Sequence, residues 1–418
     1  MNTKQHMTAT ITLVGPFVQV LPMAGLPAAG PIADIQLQVI EQAGVLVQDG
    51  RIVKVDAYKE LAQEAKEKNY QLEPVVSPMV LLPGLIDAHT HICFAGSRAN
   101  DYAQRVAGKS YLEIARSGGG ILDSVRKTRE ASLPELVLLL KQRCDRHLSE
   151  GVTTCEVKSG YGLTVEDELK MLEAIQLVNA QHALDLVPTC LAAHTLPPEF
   201  SDPRAYLQHI QEELLPQVIK QQLAKRIDIF IEDTAFTEEV ALDYLLAAKA
   251  LGMEVTVHAD QFSTGGSRIA AAVGAVSADH LEASGEAEMA LLQQAGTVAT
   301  VLPGASLGLG MGYAPARKML DSGLCLAIAT DWNPGSAPMG DLLLQAALLG
   351  AAEKLTTAET LTAMTCQAAR ALNLTDRGTL SAGQLADMIA FPTADYKDIL
   401  YFQGKLKPAM IWKNGIRI

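Results

Sequence analysis

The chain has 418 residues, 49% of them hydrophobic, and 47 acidic against 34 basic side chains give a formal net charge of -13. That length can bury one large core and a smaller one. The negative balance repels phosphate backbones and anionic lipid, which argues against nucleic acid and membrane partners, and any anionic small molecule would need a local cation. The six cysteines (Cys93, Cys144, Cys155, Cys190, Cys325, Cys366) are scattered without C-x-x-C spacing. That is the pattern of reduced, buried thiols in a cytoplasmic protein rather than of a disulfide framework. The start is polar, without the layout of a signal peptide, and the most apolar helical stretch, 342–352, is too short to cross a bilayer. A soluble, cytoplasmic protein is expected.

Taken in chain order, residues 1–78 read as short strands, with 44–48 and 51–56 flanking Asp49-Gly50, a pair that favours a type I′ hairpin. Eight apolar runs follow, at 80–86, 151–157, 184–193, 227–231, 254–257, 275–278, 297–302 and 324–329. Helical patterns such as 134–150, 166–181, 237–251 and 339–354 lie between them. The alternation predicts an α/β fold, a (β/α)8 TIM barrel over 79–374. At the far end 410–413 and 416–418 flank Asn414-Gly415, a second hairpin, so 1–78 and 375–418 should meet in a small β-sandwich domain formed from both chain termini. A doubly wound sheet is the alternative fold. It would place a Gly-rich turn after its first strand, where this chain has Asp87-Ala-His-Thr-His91.

His89, His91, Lys158, His194, His258, His280 and Asp331 all fall at or just beyond predicted strand ends, which a barrel gathers on one face. Two residues apart in extended chain, His89 and His91 can face the same side, and neutral imidazoles suit zinc and ferrous iron. Alone, each ligand candidate has a plain alternative: His258 as a core histidine, Asp331 as a helix N-cap before Asn333-Pro334. Their conjunction with H-x-H and the eightfold pattern favours a metal.

Leu82-Pro-Gly-Leu-Ile-Asp87 ahead of His89 and His91 resembles the first-strand signature of the amidohydrolase superfamily, and Val255-Thr-Val-His258 and Ala327-Ile-Ala-Thr-Asp331 resemble its fifth- and eighth-strand ligands. Nearly the whole chain resembles the imidazolonepropionase family. The resemblance is carried by Phe94-Ala-Gly-Ser-Arg98, Gly108-Lys-Ser-Tyr-Leu-Glu-Ile114, Ser117-Gly-Gly-Gly-Ile121, Glu156-Val-Lys-Ser-Gly-Tyr-Gly162, Ala193-His-Thr195, His258-Ala-Asp-Gln261, Ser277-Ala-Asp-His280 and Thr330-Asp-Trp-Asn-Pro-Gly-Ser336. It implies hydrolysis of the cyclic amide 4-imidazolone-5-propanoate to N-formimidoyl-L-glutamate, in histidine degradation. It further implies one divalent metal per subunit, zinc or iron, on His89, His91, His258 and Asp331, and a homodimer. Arg98, Tyr161, His194, Asn333, Gly335 and Ser336 would hold the small anionic substrate.

These roles suit the residue types. Arg98 offers a planar charged fork to a carboxylate; Tyr161 and His194 can donate to a ring oxygen or nitrogen, and the 333–336 turn can present N–H groups and a hydroxyl. Where some relatives carry a glutamate this chain has Gln261, which can orient substrate but cannot exchange protons, so acid–base work falls to Asp331 and His280. Lys158 and Glu232 are expected to be structural, not ligands of a second metal. Residues 304–312, rich in glycine, are expected as a flexible loop over the barrel mouth. The rival readings are another hydrolase of an acidic cyclic amide, a nucleobase-type deaminase and, from another class, a non-catalytic metal-binding protein. A deaminase would want a carboxyl group at Gln261, and a non-catalytic protein would lack ligands that are present here.

Overall fold

The computed structural model describes residues 11–76, 78–109, 113, 117–232 and 235–418; the Gly108–Ile114 motif falls largely outside them. Five strands open the chain: β1 (Thr12–Val20), β2 (Ile40–Gln48), β3 (Arg51–Ala57), β4 (Gln71–Pro74) and β5 (Val80–Pro83). Asp49 and Gly50 join β2 to β3 with φ of 50° and 77°, the left-handed pair of a type I′ turn that matches the strands' twist. Eight more strands follow: β6 (Leu85–Asp87), β7 (Val152–Lys158), β8 (Asp185–Ala193), β9 (Arg226–Ile229), β10 (Glu254–Ala259), β11 (Ser277–His280), β12 (Val298–Val301) and β13 (Leu326–Ile328). They lie side by side in sequence order, all parallel, with helices between. This is the expected (β/α)8 barrel.

The chain then returns through β14 (Met388–Phe391), β15 (Met410–Lys413) and β16 (Ile416–Arg417). These join β1–β5 in one mixed sheet ordered β16-β15-β14-β5-β1-β2-β3, with β4 beside β1. The sheet wraps over its own core. Edge strand β3 meets the segment just before β14 at an Arg51–Leu385 bridge, and Phe17 on β1 packs edge-on against Trp412 on β15 with ring centroids 6.0 Å apart. Strands from both terminal segments thus share one sheet.

The apolar run 80–86 was expected as a single barrel strand, and here the structure differs. It divides at Gly84, with β5 in the terminal sheet and β6 in the barrel. A Cβ at Gly84 would overlap the Thr153 side chain, so the glycine lets the chain cross between sheets, tied by Gly84 N–H to the Asp387 carbonyl at 2.9 Å.

The expected helices are present as Leu133–Ser149, Val165–Asn179, Glu238–Ala250 and Leu342–Glu353. Ser132, Thr164 and Asp341 cap three of them by accepting backbone N–H groups. Residues 304–312 correct another expectation. Most of this stretch belongs to a helix, Pro303–Leu309, whose first residues are buried. Its glycines serve close approach rather than flexibility: a Cβ at Gly308 would overlap the Ser336 carbonyl, and one at Gly304 would stand 2.6 Å from the Thr330 carbonyl. Among the described residues no helix is long and apolar enough to cross a membrane.

Candidate active site

The barrel closes where its first and last strands run out. Just beyond β13 the Asp331 N–H donates to the His89 carbonyl, and the His91 N–H donates to the Trp332 carbonyl, each at 3.0 Å. Asp87 clamps the same seam: its two oxygens accept from Thr330 N (3.0 Å) and Thr330 Oγ1 (2.6 Å), and His147 Nε2 lies 3.2 Å away. Three of the four ligand candidates therefore sit on one hydrogen-bonded joint. The fourth, His258, projects from β10.

Their donor atoms converge. His91 Nε2 lies 3.2 Å from both His89 Nε2 and His258 Nε2, and Asp331 Oδ1 lies 3.3 Å from His91 Nε2 and 3.5 Å from His89 Nε2. Four ligands bound at 2.0–2.1 Å in a tetrahedron stand about 3.3 Å apart, so this spacing fits a cation at their centre. The rest of each ring agrees. His89 Nδ1 is 2.6 Å from Asp279 Oδ2, and His258 Nδ1 is 2.8 Å from Asp228 Oδ2. A carboxylate on Nδ1 fixes the tautomer that leaves Nε2 bare for a metal.

Lys158 supports both carboxylates from beneath. Its Nζ lies 2.7 Å from Glu156, 2.9 Å from Asp228 and 3.8 Å from Asp279, all fully buried. Burial opposes the ammonium, but Asp228, Glu156 and Asp279 together hold its pKa above the usual lysine value. It is thus an ion-paired cation, the structural role expected. Glu232 is likewise occupied: it accepts from Phe262 N (2.8 Å), Ser263 N and Ser263 Oγ, which anchors the loop presenting Gln261.

A cavity of about 250 Å³ opens above the four donors. Its wall contains His91, His258, His280 and Asp331, together with every residue expected to hold substrate: Arg98, Tyr161, His194, Gln261, Asn333, Gly335 and Ser336. His280 Nδ1 is 3.5 Å from Glu282 Oε2. No described side chain is hydrogen-bonded to the Gln261 amide or the Tyr161 hydroxyl. Burial keeps the Tyr161 phenol above its usual pKa, so it stays a donor.

Two details differ from expectation. His194 Nδ1 lies 2.9 Å from the Gly160 carbonyl, which can only accept. Burial lowers this imidazole's pKa to about 4 despite that bond. At neutral pH its Nε2 is therefore an acceptor, suited to a ring N–H rather than to an oxyanion. In the 333–336 turn, Asn333 Oδ1 takes the N–H groups of both Gly335 (2.7 Å) and Ser336 (2.8 Å), the local bonding that asparagine favours in turns. Those N–H groups are not free for a carboxylate. The turn instead steadies Asp331, whose Oδ2 accepts from Asn333 Nδ2 at 2.9 Å and Ser336 Oγ at 3.3 Å. A Cβ at Gly335 would overlap Arg98 Nη1, so glycine there admits the guanidinium.

Sequence reasoning missed Asp228, Asp279, Asp101 and Arg105. Asp279 adjoins His280 and Asp228 lies on β9, but an acid inside a strand gives no sign of which imidazole it will meet. Arg105 and Asp101 stand seven and three residues after Arg98 on helix Ala99–Val106, a helical spacing that could have been noticed.

Residues 80–417 match the amidohydrolase family. Imidazolonepropionase of Bdellovibrio bacteriovorus is 40% identical over 389 residues, covering 93% of this chain and 91% of the relative. That of Deinococcus deserti is 40% identical, covering 92% and 94%, and that of a Geobacillus species 38%, covering 95% of each. Among solved structures, an adenosine deaminase from Xanthomonas campestris with bound zinc superposes with a TM-score of 0.70 at 19% identity, over 97% of this chain and 92% of that one. Atrazine chlorohydrolase from Arthrobacter aurescens, complexed with zinc, gives 0.69 at 17% identity over 97% and 94%. At such identities these two speak for the fold alone.

Proposed function

Because the chain belongs to the amidohydrolase family and, within it, to the imidazolonepropionases, we propose that it hydrolyses 4-imidazolone-5-propanoate to N-formimidoyl-L-glutamate. One observation carries this: three members of a four-donor cluster spaced for a cation, His91, His258 and Asp331, line a small cavity whose wall also holds the Arg98 guanidinium. That pairing suits a cyclic amide with an anionic tail. It is a catalytic arrangement, not a storage site for metal, since a cavity adjoins the donors.

His89, His91, His258 and Asp331 are the ligands in this reading, holding one zinc or iron ion per subunit. A divalent ion there would polarise the ring carbonyl and lower the pKa of water from 15.7 toward roughly 7. The chain's own groups do the rest. The Arg98 fork binds the propanoate, and the His194 Nε2 accepts a ring N–H while the Tyr161 hydroxyl donates to the ring. Gln261 orients the ring by its amide, and Asn333, Gly335 and Ser336 form the wall that keeps Asp331 and Arg98 in place. As water adds to the carbonyl carbon, its proton passes to Asp331 Oδ2 or His280 Nε2. The carbonyl carbon–nitrogen bond then breaks, and the departing nitrogen recovers a proton as part of a delocalised amidine. Such a leaving group needs weaker acid help than ammonia does, which is why an amide at Gln261 suits ring opening better than deamination. A cytoplasmic setting is part of the proposal, supported by six free cysteines.

The test is to incubate the enzyme with freshly made 4-imidazolone-5-propanoate, following the loss of ring absorbance and identifying the product by mass. A product heavier by one water supports the reading. An unchanged substrate with fully metallated enzyme would remove this substrate and leave the family assignment standing.

A further inference from the structure

The cavity wall contains two guanidinium groups, and the chemistry above uses one. Arg98 precedes helix Ala99–Val106 and Arg105 lies in its last turn, so the two share a face; both line the cavity. Asp101, between them, is committed elsewhere: Oδ2 accepts from Arg98 Nε at 2.8 Å and from Gly120 N at 2.8 Å. Arg105 has no acidic partner among the described residues. Its Nη2 is shielded from water and has no hydrogen-bond partner among the described residues, and its guanidinium lies over the Tyr102 ring, centroid 5.6 Å away.

Arg105 as a whole is half-buried, but a shielded N–H donor without an acceptor is costly, and that cost is recovered when an anion arrives. The cavity's own groups do not supply one. Asp331 is engaged by two imidazoles, Asn333 and Ser336, and Asp101 by Arg98. The occupied N–H groups of the 333–336 turn also leave the guanidinium groups as the main binding sites for a carboxylate. We propose that Arg105 is a specificity-determining residue, which binds the carboxylate of the substrate side chain jointly with Arg98 and selects substrates that carry an anion at that end. The inference rests on the ring-opening reading above.

The test compares Arg105→Gln and Arg105→Lys with the wild type on 4-imidazolone-5-propanoate and on its neutral methyl ester. For Arg105→Gln, KM for the acid should rise roughly tenfold or more with kcat changed by less than about twofold. Selectivity for acid over ester should fall by a similar factor, with partial recovery in Arg105→Lys, which restores charge without the fork. The melting temperature should stay level or rise, because an unpaired cation is removed. Equal loss on acid and ester, or a lowered melting temperature with unchanged KM, would make Arg105 structural and overturn the proposal. Should the wild type fail to open the ring, the substrate reading falls by itself, and calorimetric binding of glutarate still decides. Weakening by roughly tenfold in Arg105→Gln supports a carboxylate site, and equal binding overturns it.

Discussion

Lys158 Nζ has three carboxylates within 3.8 Å, none of them exposed to solvent. Two of the three, Asp228 and Asp279, receive the Nδ1 edges of His258 and His89, so one ammonium sets the orientation of two metal-ligand candidates through their partners. Removing it would leave buried acids without compensation. Lys158→Met is expected to cost about 3–5 kcal/mol and to lower metal content together with the melting temperature; a stable, fully metallated variant would show that the carboxylates stand without it. His194 gives a pH signature. Burial lowers its pKa from 6.5 to about 4, so between those values the unfolded chain binds a proton that the folded one refuses. Stability is therefore full above about pH 6.5 and is lost as pH falls toward 4, by up to about 3 kcal/mol from this residue. Melting temperatures measured from pH 7 to 5 should fall, and fall less steeply in His194→Gln. Identical slopes would mean that His194 titrates normally.

Among the elements, those legible in the sequence were set locally. Asp49-Gly50 and Asn414-Gly415 predict hairpins because their backbone needs are local, and all four residues adopt positive φ. The ligand strands were legible because H-x-H and the runs into His258 and Asp331 carry both pattern and chemistry. What was not legible depended on partners far along the chain. The 80–86 run is evenly apolar, and its division at Gly84 is imposed by Thr153. The glycines of helix Pro303–Leu309 suggested mobility, yet Gly308 is required by the Ser336 carbonyl that passes against it. Likewise Asn333 turned inward to the Gly335 and Ser336 N–H groups, a bond that sequence leaves open. Gly308→Ala tests the close approach: it should displace the 333–336 turn, destabilise the protein by about 1–3 kcal/mol and reduce activity. Wild-type activity and melting would show that the helix yields without disturbing Asp331.

On the scale of the whole molecule, the terminal sheet is fastened to the barrel. Asp185 at the start of β8 takes Lys413 Nζ at 2.8 Å and Arg377 Nη1 at 2.6 Å, and Lys413 also pairs with Asp387. Trp412, fully buried, joins β15 to Phe17 and donates Nε1–H to Glu73 at 2.8 Å. Strands β1 and β15 thus share one core, and Trp412→Ala should cost about 3–5 kcal/mol in urea unfolding. A loss under 1 kcal/mol would mean that the terminal sheet contributes little. Net charge of -13 gives the substrate no long-range attraction, which leaves the arginines of the cavity to capture it. The central claim is that His89, His91, His258 and Asp331 hold one divalent ion on which ring opening depends. It is tested most directly by measuring turnover of 4-imidazolone-5-propanoate against metal content as the ion is removed by chelation and restored by titration. Activity should vanish on removal and return in proportion, saturating at one ion per chain, with neither binding nor turnover in His258→Ala. Full turnover by metal-free enzyme, or saturation at two ions per chain, would contradict the account.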